Sequence, residues 1–396
     1  VFKGRQRLDE DEALQALGGN SHLSRGLDSR SLKGIFDQFS LAEGCLLSDV
    51  VHYLNQNNIT FNPAAVHSDV TSSIAHVHVS GLLHREVMGD VEKYVHRSPK
   101  IRTLLEEMKG SVKLFLLSNS SFDYVDNGMR YICGDDWTDL FDVVSVEAQK
   151  PSFYNSRNPF RQLDVDSRSS SNSSRRLKWS EVKTLEQGNV YVAGNVSDLM
   201  SMTQWNGPEV LYIGDHLFAD LRTPARHQGW WTGAIIRELE KEIVKESSSE
   251  YQLMSLKMQM IEELMRRLQW APSANSETND VLEELNSLQS ARAQVRHDMN
   301  NALNPNFGSV FVSAAHSPSL FASSMSKYVD IYTSRLENLL DYGMDYRFYP
   351  RKGHRVLPHE PLGRPGLASD LLQMSLDKPM GKPDIKLRSE LSFRAD

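Results

Sequence analysis

Apolar positions change their period several times along the chain, and each change marks an element. Between residues 31 and 98 the repeat is helical. Leu32, Ile35, Phe36 and Phe39 form one stripe, and Leu46, Leu47, Val50, Val51 and Leu54 form a second, separated by Gly44. A third helix is expected over residues 63–77, which makes this region a helical insertion. At Ser98-Pro99 a further helix opens, with Ile101, Leu104, Leu105 and Met108 on one face and Gly110 at its end. Beyond it, short continuous apolar runs alternate with helical ones. Residues 112–117, 143–146, 190–192, 210–213 and 230–236 read as strands buried on both faces, with a helix over 122–132 among them. That alternation predicts an α/β domain with a mostly parallel sheet and helices on both faces.

The flanks read differently. Residues 1–30 are polar and read as an arm, and residues 155–180 read as a mobile Ser-rich surface loop. After residue 236 helices dominate. Leu253, Leu256, Met260, Leu264 and Leu268 make one stripe, and Val281, Leu285, Leu288, Val295 and Met299 make another. An antiparallel hairpin is the economical reading, while about four heptads in each arm equally suit a coiled-coil homo-oligomer. Residues 310–312 read as a strand, and residues 328–340 as an amphipathic helix. The expected organisation is a polar arm (1–30), a helical cap region (31–98), an α/β core (99–236), a helical hairpin or coiled coil (237–305), a C-terminal part packing on the core (306–360) and a loose tail (361–396).

Composition narrows the class. With 396 residues, 40% hydrophobic and 24% charged, the chain can bury one large core with insertions. A formal net charge of −7 gives no basic face for a nucleic acid polymer. No apolar run approaches the ~18 residues of a membrane span, and no secretory h-region is visible. The two cysteines, Cys45 and Cys133, are too few for a disulfide scaffold and fit a reducing compartment, cytoplasmic by expectation. Residue 1 is valine, so a mitochondrial address stays open.

The candidate chemistry lies at strand ends. Val210-Leu211-Tyr212-Ile213 runs into Gly214-Asp215, which delivers Asp215 to the carboxyl edge of the sheet, where open α/β sheets bind ligands. A helix beginning after that turn would return Asp220 to its side. Two hard oxygen ligands there suit Mg²⁺, and the same residues also suit a helix cap with a solvated second carboxylate. Strand 112–117 ends in Ser118-Asn119-Ser120-Ser121, which puts a hydroxyl, an amide and backbone N–H groups where an anion could sit, or else forms a plain serine cap. Lys150-Pro151 follows strand 143–146 in a loop leaving the sheet edge. His76, His78 and His84 do not have the spacing of a metal motif.

These stretches resemble the motifs of the haloacid-dehalogenase (HAD) superfamily. Leu116-Leu117-Ser118-Asn119 is similar to its second motif, Lys150-Pro151 to its third, and Tyr212-Ile213-Gly214-Asp215-His216-Leu217-Phe218-Ala219-Asp220-Leu221 to its fourth, in the version of the 5′-nucleotidase family. The resemblance, spanning residues 32–360, implies a HAD-like, Rossmann-type fold with a helical cap and a helical hairpin insertion. It implies Mg²⁺-dependent hydrolysis of a nucleoside 5′-monophosphate through an aspartyl-phosphate. Ser118 would hold the phosphoryl oxygens, Lys150 would neutralise charge, Asp215 would bind the metal, and Asp220 would orient Lys150 or the metal's waters. Asn119 and His216 would face the substrate. A looser match around Ser68-Asp69-Val70 and Val77-His78 puts Asp69 of the cap there as well. The family's first motif, Asp-x-Asp-x-Thr, which carries nucleophile and acid/base, does not occur in the chain, and Asp164-Val165-Asp166 lacks the preceding strand. The chain alone is therefore expected to be inactive. The alternative is a catalytically dead HAD-fold scaffold that holds a partner with its helical hairpin.

Overall fold

The computed structural model describes residues 2–16, 34–165, 176–270, 278–312 and 318–348. The chain divides after Met344, and the fold and the candidate site lie in the first unit. In the second unit, the rings of Tyr346 and Phe348 meet edge to face at 4.9 Å. The Ser-rich stretch after Val165, the residues joining the two arms of the hairpin and the expected tail fall outside the described residues.

The N-terminal stretch forms a small antiparallel pair, β1 (Phe2–Lys3) and β2 (Gln6–Arg7), and a helix, α1 (Glu10–Ala16), where only a polar arm is expected. The cap region is helical as its periodicity requires: α2 (Gln38–Gln56), α3 (Pro63–Val79), α4 (Leu82–Gly89) and α5 (Val91–Tyr94). Asp37 and Asn62 start α2 and α3 by accepting backbone N–H bonds from Ser40 and from Ala64 and Ala65. Ile35 and Phe36 therefore precede α2 instead of lying on it. Next come α6 (Pro99–Lys109), β3 (Phe115–Leu117), α7 (Phe122–Cys133), β4 (Val143–Val146), β5 (Phe160–Asp164), β6 (Arg176–Leu177), β7 (Val190–Ala193) and α8 (Val196–Thr203). The chain then runs through β8 (Leu211–Gly214), β9 (Trp231–Ile235), α9 (Leu239–Glu246), α10 (Ser249–Trp270), α11 (Thr278–Leu303), α12 (Leu320–Tyr328) and β10 (Ile331–Thr333).

The strands form an α/β, parallel-rich architecture in two sheets, ordered β3-β4-β7-β5-β6 and β10-β9-β8, beside the small N-terminal pair. The pairs β3–β4, β4–β7, β8–β9 and β9–β10 are parallel. Period-2 alternation sorts their side chains onto two faces. Val144 and Val146 of β4 and Val190 and Val192 of β7 join the cluster around the fully buried Trp137, whereas Val143 and Tyr191 join the one that holds Phe153, Leu217 and Leu221. Both faces of the larger sheet are thus covered, which is why its strands read as continuous apolar runs. The edge strands β3 and β8 are not paired with each other. Side chains connect them instead: Phe115 stacks on Tyr212 with ring centroids 5.8 Å apart, and the Tyr212 hydroxyl donates to the Leu117 carbonyl at 3.4 Å.

Four further expectations need correction. Residues 160–164 lie in the presumed loop but form β5, antiparallel to β7 and anchored by buried Phe160 and Leu163, so a strand does precede Asp164-Val165. Because β5 is antiparallel, its end at Asp164 lies toward the start of β7, at the edge opposite the one from which Ser118 leaves. Residues 328–340 do not form one helix. The chain turns extended at Val329, and the β-branched and aromatic Ile331-Tyr332-Thr333 pairs with β9, while residues 336–341 form only a 3₁₀ segment. Residues 310–312 give no strand, only an isolated bridge from Val312 to Pro318. The hairpin forms, but its seam on α10 is Met258, Ile261 and Met265, with Met254 packed alongside, against Leu285, Leu288, Val295 and Met299 of α11. Leu253, Leu256, Met260 and Leu264 are exposed. Met254, Met258, Ile261 and Met265 keep the alternating four- and three-residue steps of a helix–helix seam, a spacing the leucine stripe does not sustain.

Candidate active site at the ends of β3 and β8

Lys150 is the centre of the site. Glu147 and Gln149 both adopt left-handed backbone angles, with φ of 50° and 58°, in the turn that carries the chain from β4 back across the end of β3. Such angles are unfavourable for residues with a Cβ and persist only where surrounding contacts hold them. Asn119 supplies such contacts. Its Oδ1 accepts from the Lys150 N–H at 2.6 Å and its Nδ2 donates to the Lys150 carbonyl at 2.9 Å. Both polar ends of the Asn119 amide are therefore engaged in placing the lysine loop.

The Lys150 ammonium is almost fully buried and has three acceptors for its three protons. It donates to the Leu117 carbonyl and to the Tyr212 hydroxyl, each at 2.9 Å, and pairs with Asp220 Oδ1 at 2.7 Å. The side chains of Lys150 and Asp220 are 9% and 8% exposed, so the pair is shielded from solvent and salt. Burial, and after it the negative charge of Asp220, pushes the Tyr154 phenol well above its usual value. Tyr212 is likewise raised by burial first. Both phenols stay neutral, and the Tyr154 hydroxyl donates to the Asp220 carbonyl at 3.4 Å.

Asp220 reaches Lys150 because residues 217–222 form a π-helical turn straight after β8. His216 starts that turn: its Nδ1 accepts from the Ala219 N–H at 3.2 Å, while its own N–H donates to Asp220 Oδ2 at 3.2 Å. The Asp220 carboxylate lies across Gly214, where an added Cβ would stand 2.7 Å from Asp220 Cβ and 2.8 Å from Oδ2. Glycine is required here by close approach, not by its backbone angles. Asp215 follows at the strand end, open to solvent on one side. Partial enclosure of its carboxyl group, and after that the neighbouring Asp220 carboxylate, raises its pKa above the ordinary 3.8.

Ser118 continues β3, with its N–H donating to the Ser145 carbonyl at 3.0 Å and its Oγ accepting from the Ser120 N–H at 3.1 Å. The residue that caps α7 is Ser121, three positions on, so Ser118 is not a plain helix cap. The structure thus brings Ser118, Asn119, Lys150, Asp215, His216 and Asp220 to the carboxyl ends of β3 and β8. It does not bring Asp69 into this network: that residue is exposed on α3. Sequence reasoning missed Tyr212 and Phe39 as site residues. Tyr212 read only as strand core, and Phe39, from the cap region, stacks on the His216 ring at 4.7 Å.

The residues able to take a metal are few. Among the described residues there is no group of three or more His, Cys, Asp or Glu side chains that could hold one. Asp215 is the carboxylate not committed to an ion pair with Lys150, and its ionisation is opposed by its surroundings, which a cation would offset. That donor set fits Mg²⁺, which binds through one or two carboxylates and completes its shell with water and phosphate oxygens.

Comparison with known proteins identifies the family. A model of the 5′ nucleotidase family matches residues 1–362. A 5′-nucleotidase domain-containing protein of Dictyostelium discoideum is 34% identical over 368 residues, 91% of this chain and 60% of its own length. The human 5′-nucleotidase domain-containing protein 2 is 37% identical over 91% of this chain and 68% of its own length, and the rat protein of that name is 36% identical over 91% and 64%. The chain therefore spans 60%, 68% and 64% of the lengths of these three relatives. Matched by the family model over most of its length and by these relatives over nine tenths of it, the chain belongs to the 5′ nucleotidase family.

Proposed function

We propose that this chain supplies the phosphate- and metal-holding residues of a Mg²⁺-dependent phosphohydrolase that acts on nucleoside 5′-monophosphates. The observation that carries the reading is the meeting of Lys150 with Asp220, close enough to act on the Asp215 carboxyl and bonded to the Leu117 carbonyl next to Ser118. Ser118 and the turn after it hold the phosphoryl oxygens through the hydroxyl and backbone N–H groups. Lys150, fixed by Asn119, Leu117, Tyr212 and Asp220, offsets the charge of the Asp220 carboxylate, so that an anionic substrate meets one uncompensated carboxylate, Asp215, and not two. Asp215 holds Mg²⁺, which when bound offsets the phosphate charge and acts as a Lewis acid. Asp220 positions Lys150 and does not take part in bond making. The exposed ring of Phe39 and His216 beneath it offer a planar surface for a base. The sequence holds no Asp-x-Asp-x-Thr, so the nucleophile is not among the residues assigned here and the chain alone turns over no substrate.

The test is phosphate release from a panel of nucleoside monophosphates, with and without Mg²⁺. It is run on this chain and on a form of the protein that includes an Asp-x-Asp-x-Thr strand. Turnover by the second form, abolished by Asp215→Asn, supports the reading, and no release from either removes it. A second reading, a partner-holding scaffold, is favoured by the exposed stripe Leu253, Leu256, Met260 and Leu264 on α10. It would be supported by an inactive longer form whose partner binding is lost when these four residues are made polar.

A further inference from the structure

α7 carries a glycine in its interior, where glycine is a poor helix former, and a Cβ added at Gly128 would meet nothing within 4 Å. The space it leaves is part of a cleft of about 380 Å³, open to solvent on one side and lined by α4, α5, α7 and the edge of β3. Val87, Val91, Leu116, Val125, Met129 and Ile132 give it an apolar wall, Asn127 adds one amide, and no charged side chain is among the described residues that line it. Tyr124 forms part of the wall and is held by His84, whose ring stacks on it at 4.2 Å. Two of the cleft's polar lining residues are Ser118 and Ser120, so it adjoins the turn to which phosphate binding is assigned above.

We infer that this cleft receives the apolar ring of a phosphomonoester whose phosphate lies on the Ser118 turn, which adds aryl phosphates to the ligands of the site. The inference rests on the phosphate-holding role proposed for Ser118. An apolar cavity of about 150 Å³ is enough to bind benzene, so 380 Å³ has room for a bicyclic ring. The same wall is a poor host for ribose, because hydroxyls taken from water need partners that Val, Leu, Ile and Met do not provide. A nucleoside is thus directed toward the Phe39 and His216 side, and an aryl group toward Gly128.

The test is equilibrium binding by calorimetry to the full 396-residue chain, with methyl phosphate, 2-naphthyl phosphate and 2-naphthol as probes. It uses the wild type, Gly128→Ala and Gly128→Leu, and circular dichroism checks that each variant is folded. The wild type should bind 2-naphthyl phosphate about tenfold more tightly than methyl phosphate, as burial of the ring requires. Gly128→Leu, which fills the space, should remove that preference and leave methyl phosphate binding as it was, while Gly128→Ala should keep it. Equal affinity for the two phosphates in the wild type overturns the inference, as does an unchanged preference in folded Gly128→Leu. So does 2-naphthol binding as tightly as its phosphate, since the cleft would then act without the Ser118 turn. Gly128-dependent binding of 2-naphthyl phosphate in a protein whose longer form hydrolyses no nucleotide would remove the phosphohydrolase reading and leave this one standing.

Discussion

Lys150 Nζ stands 2.7 Å from Asp220 Oδ1, with each side chain less than a tenth exposed. A buried pair of this kind contributes little net stability when intact, because desolvation offsets much of the attraction, but removing one partner leaves an uncompensated charge. Asp220→Asn should therefore destabilise the chain by about 3–5 kcal/mol. Adding Lys150→Met to that variant should recover a large part of the loss, since the stranded ammonium is gone. Urea unfolding of the four proteins in the cycle checks this, and additive losses would show that the two groups are not coupled.

Gly214 faces that same carboxylate. A methyl group there would sit 2.7 Å from Asp220 Cβ, and the neighbours that would have to move are β8 and the π-helical turn. Gly214→Ala should cost about 1–3 kcal/mol, the usual range for overpacking a tight contact. It should also push Asp220 away from Lys150, so its effect should shrink when Asp220 is already Ala. A Gly214→Ala midpoint in urea that matches the wild type would show that the turn relaxes without cost.

Much of this site was legible because strand-end chemistry is local. Ser118, Lys150 and Asp215 each follow a short apolar run, and such runs terminate at one edge of a parallel sheet. What the sequence did not disclose depends on neighbours far along the chain. Asn119 read as a substrate ligand, yet its amide closes on the backbone of Lys150, a partner 31 residues away. Tyr212 read as core, and only the approach of β3 to β8 reveals that its hydroxyl accepts from Lys150. β5 was hidden because its apolar positions, Phe160 and Leu163, are too few to set a period. On α10 two apolar stripes coexist in one helix, so periodicity alone could not say which one faces α11.

That choice of stripe is itself open to measurement. Ile261 is 6% exposed and Leu256 is 54% exposed on the same helix. Ile261→Ala removes packed atoms from the seam with α11 and should cost about 2–5 kcal/mol. Leu256→Ala should change stability by no more than about 0.5 kcal/mol in the monomer, as for other exposed positions. Thermal unfolding at several protein concentrations distinguishes the two. A large, concentration-dependent loss for Leu256→Ala would mean that its stripe is buried against a second molecule.

Asp215 links the site to pH. Its folded-state pKa is raised above the ordinary 3.8, by enclosure first and by Asp220 second. A carboxyl shifted in this direction holds its proton more tightly when the chain is folded, so its neutral form supports folding at low pH. That support is lost as pH rises through the folded-state value, and the ionised group then costs stability. Asp215→Asn fixes a neutral side chain of similar shape. It should leave stability unchanged well below the ordinary carboxylate value and make the chain more stable than the wild type at neutral pH. Mg²⁺ should act on the wild type and not on the variant. A cation that binds the folded wild type through Asp215 raises its Tm at neutral pH by mass action, while the variant, lacking the charge, should show little response. Calorimetric scans from acid to neutral pH, with and without Mg²⁺, read both effects. If Asp215→Asn were no more stable than the wild type at neutral pH, ionising this carboxyl would carry no cost. An equal Mg²⁺ shift in both proteins would move the metal to other ligands.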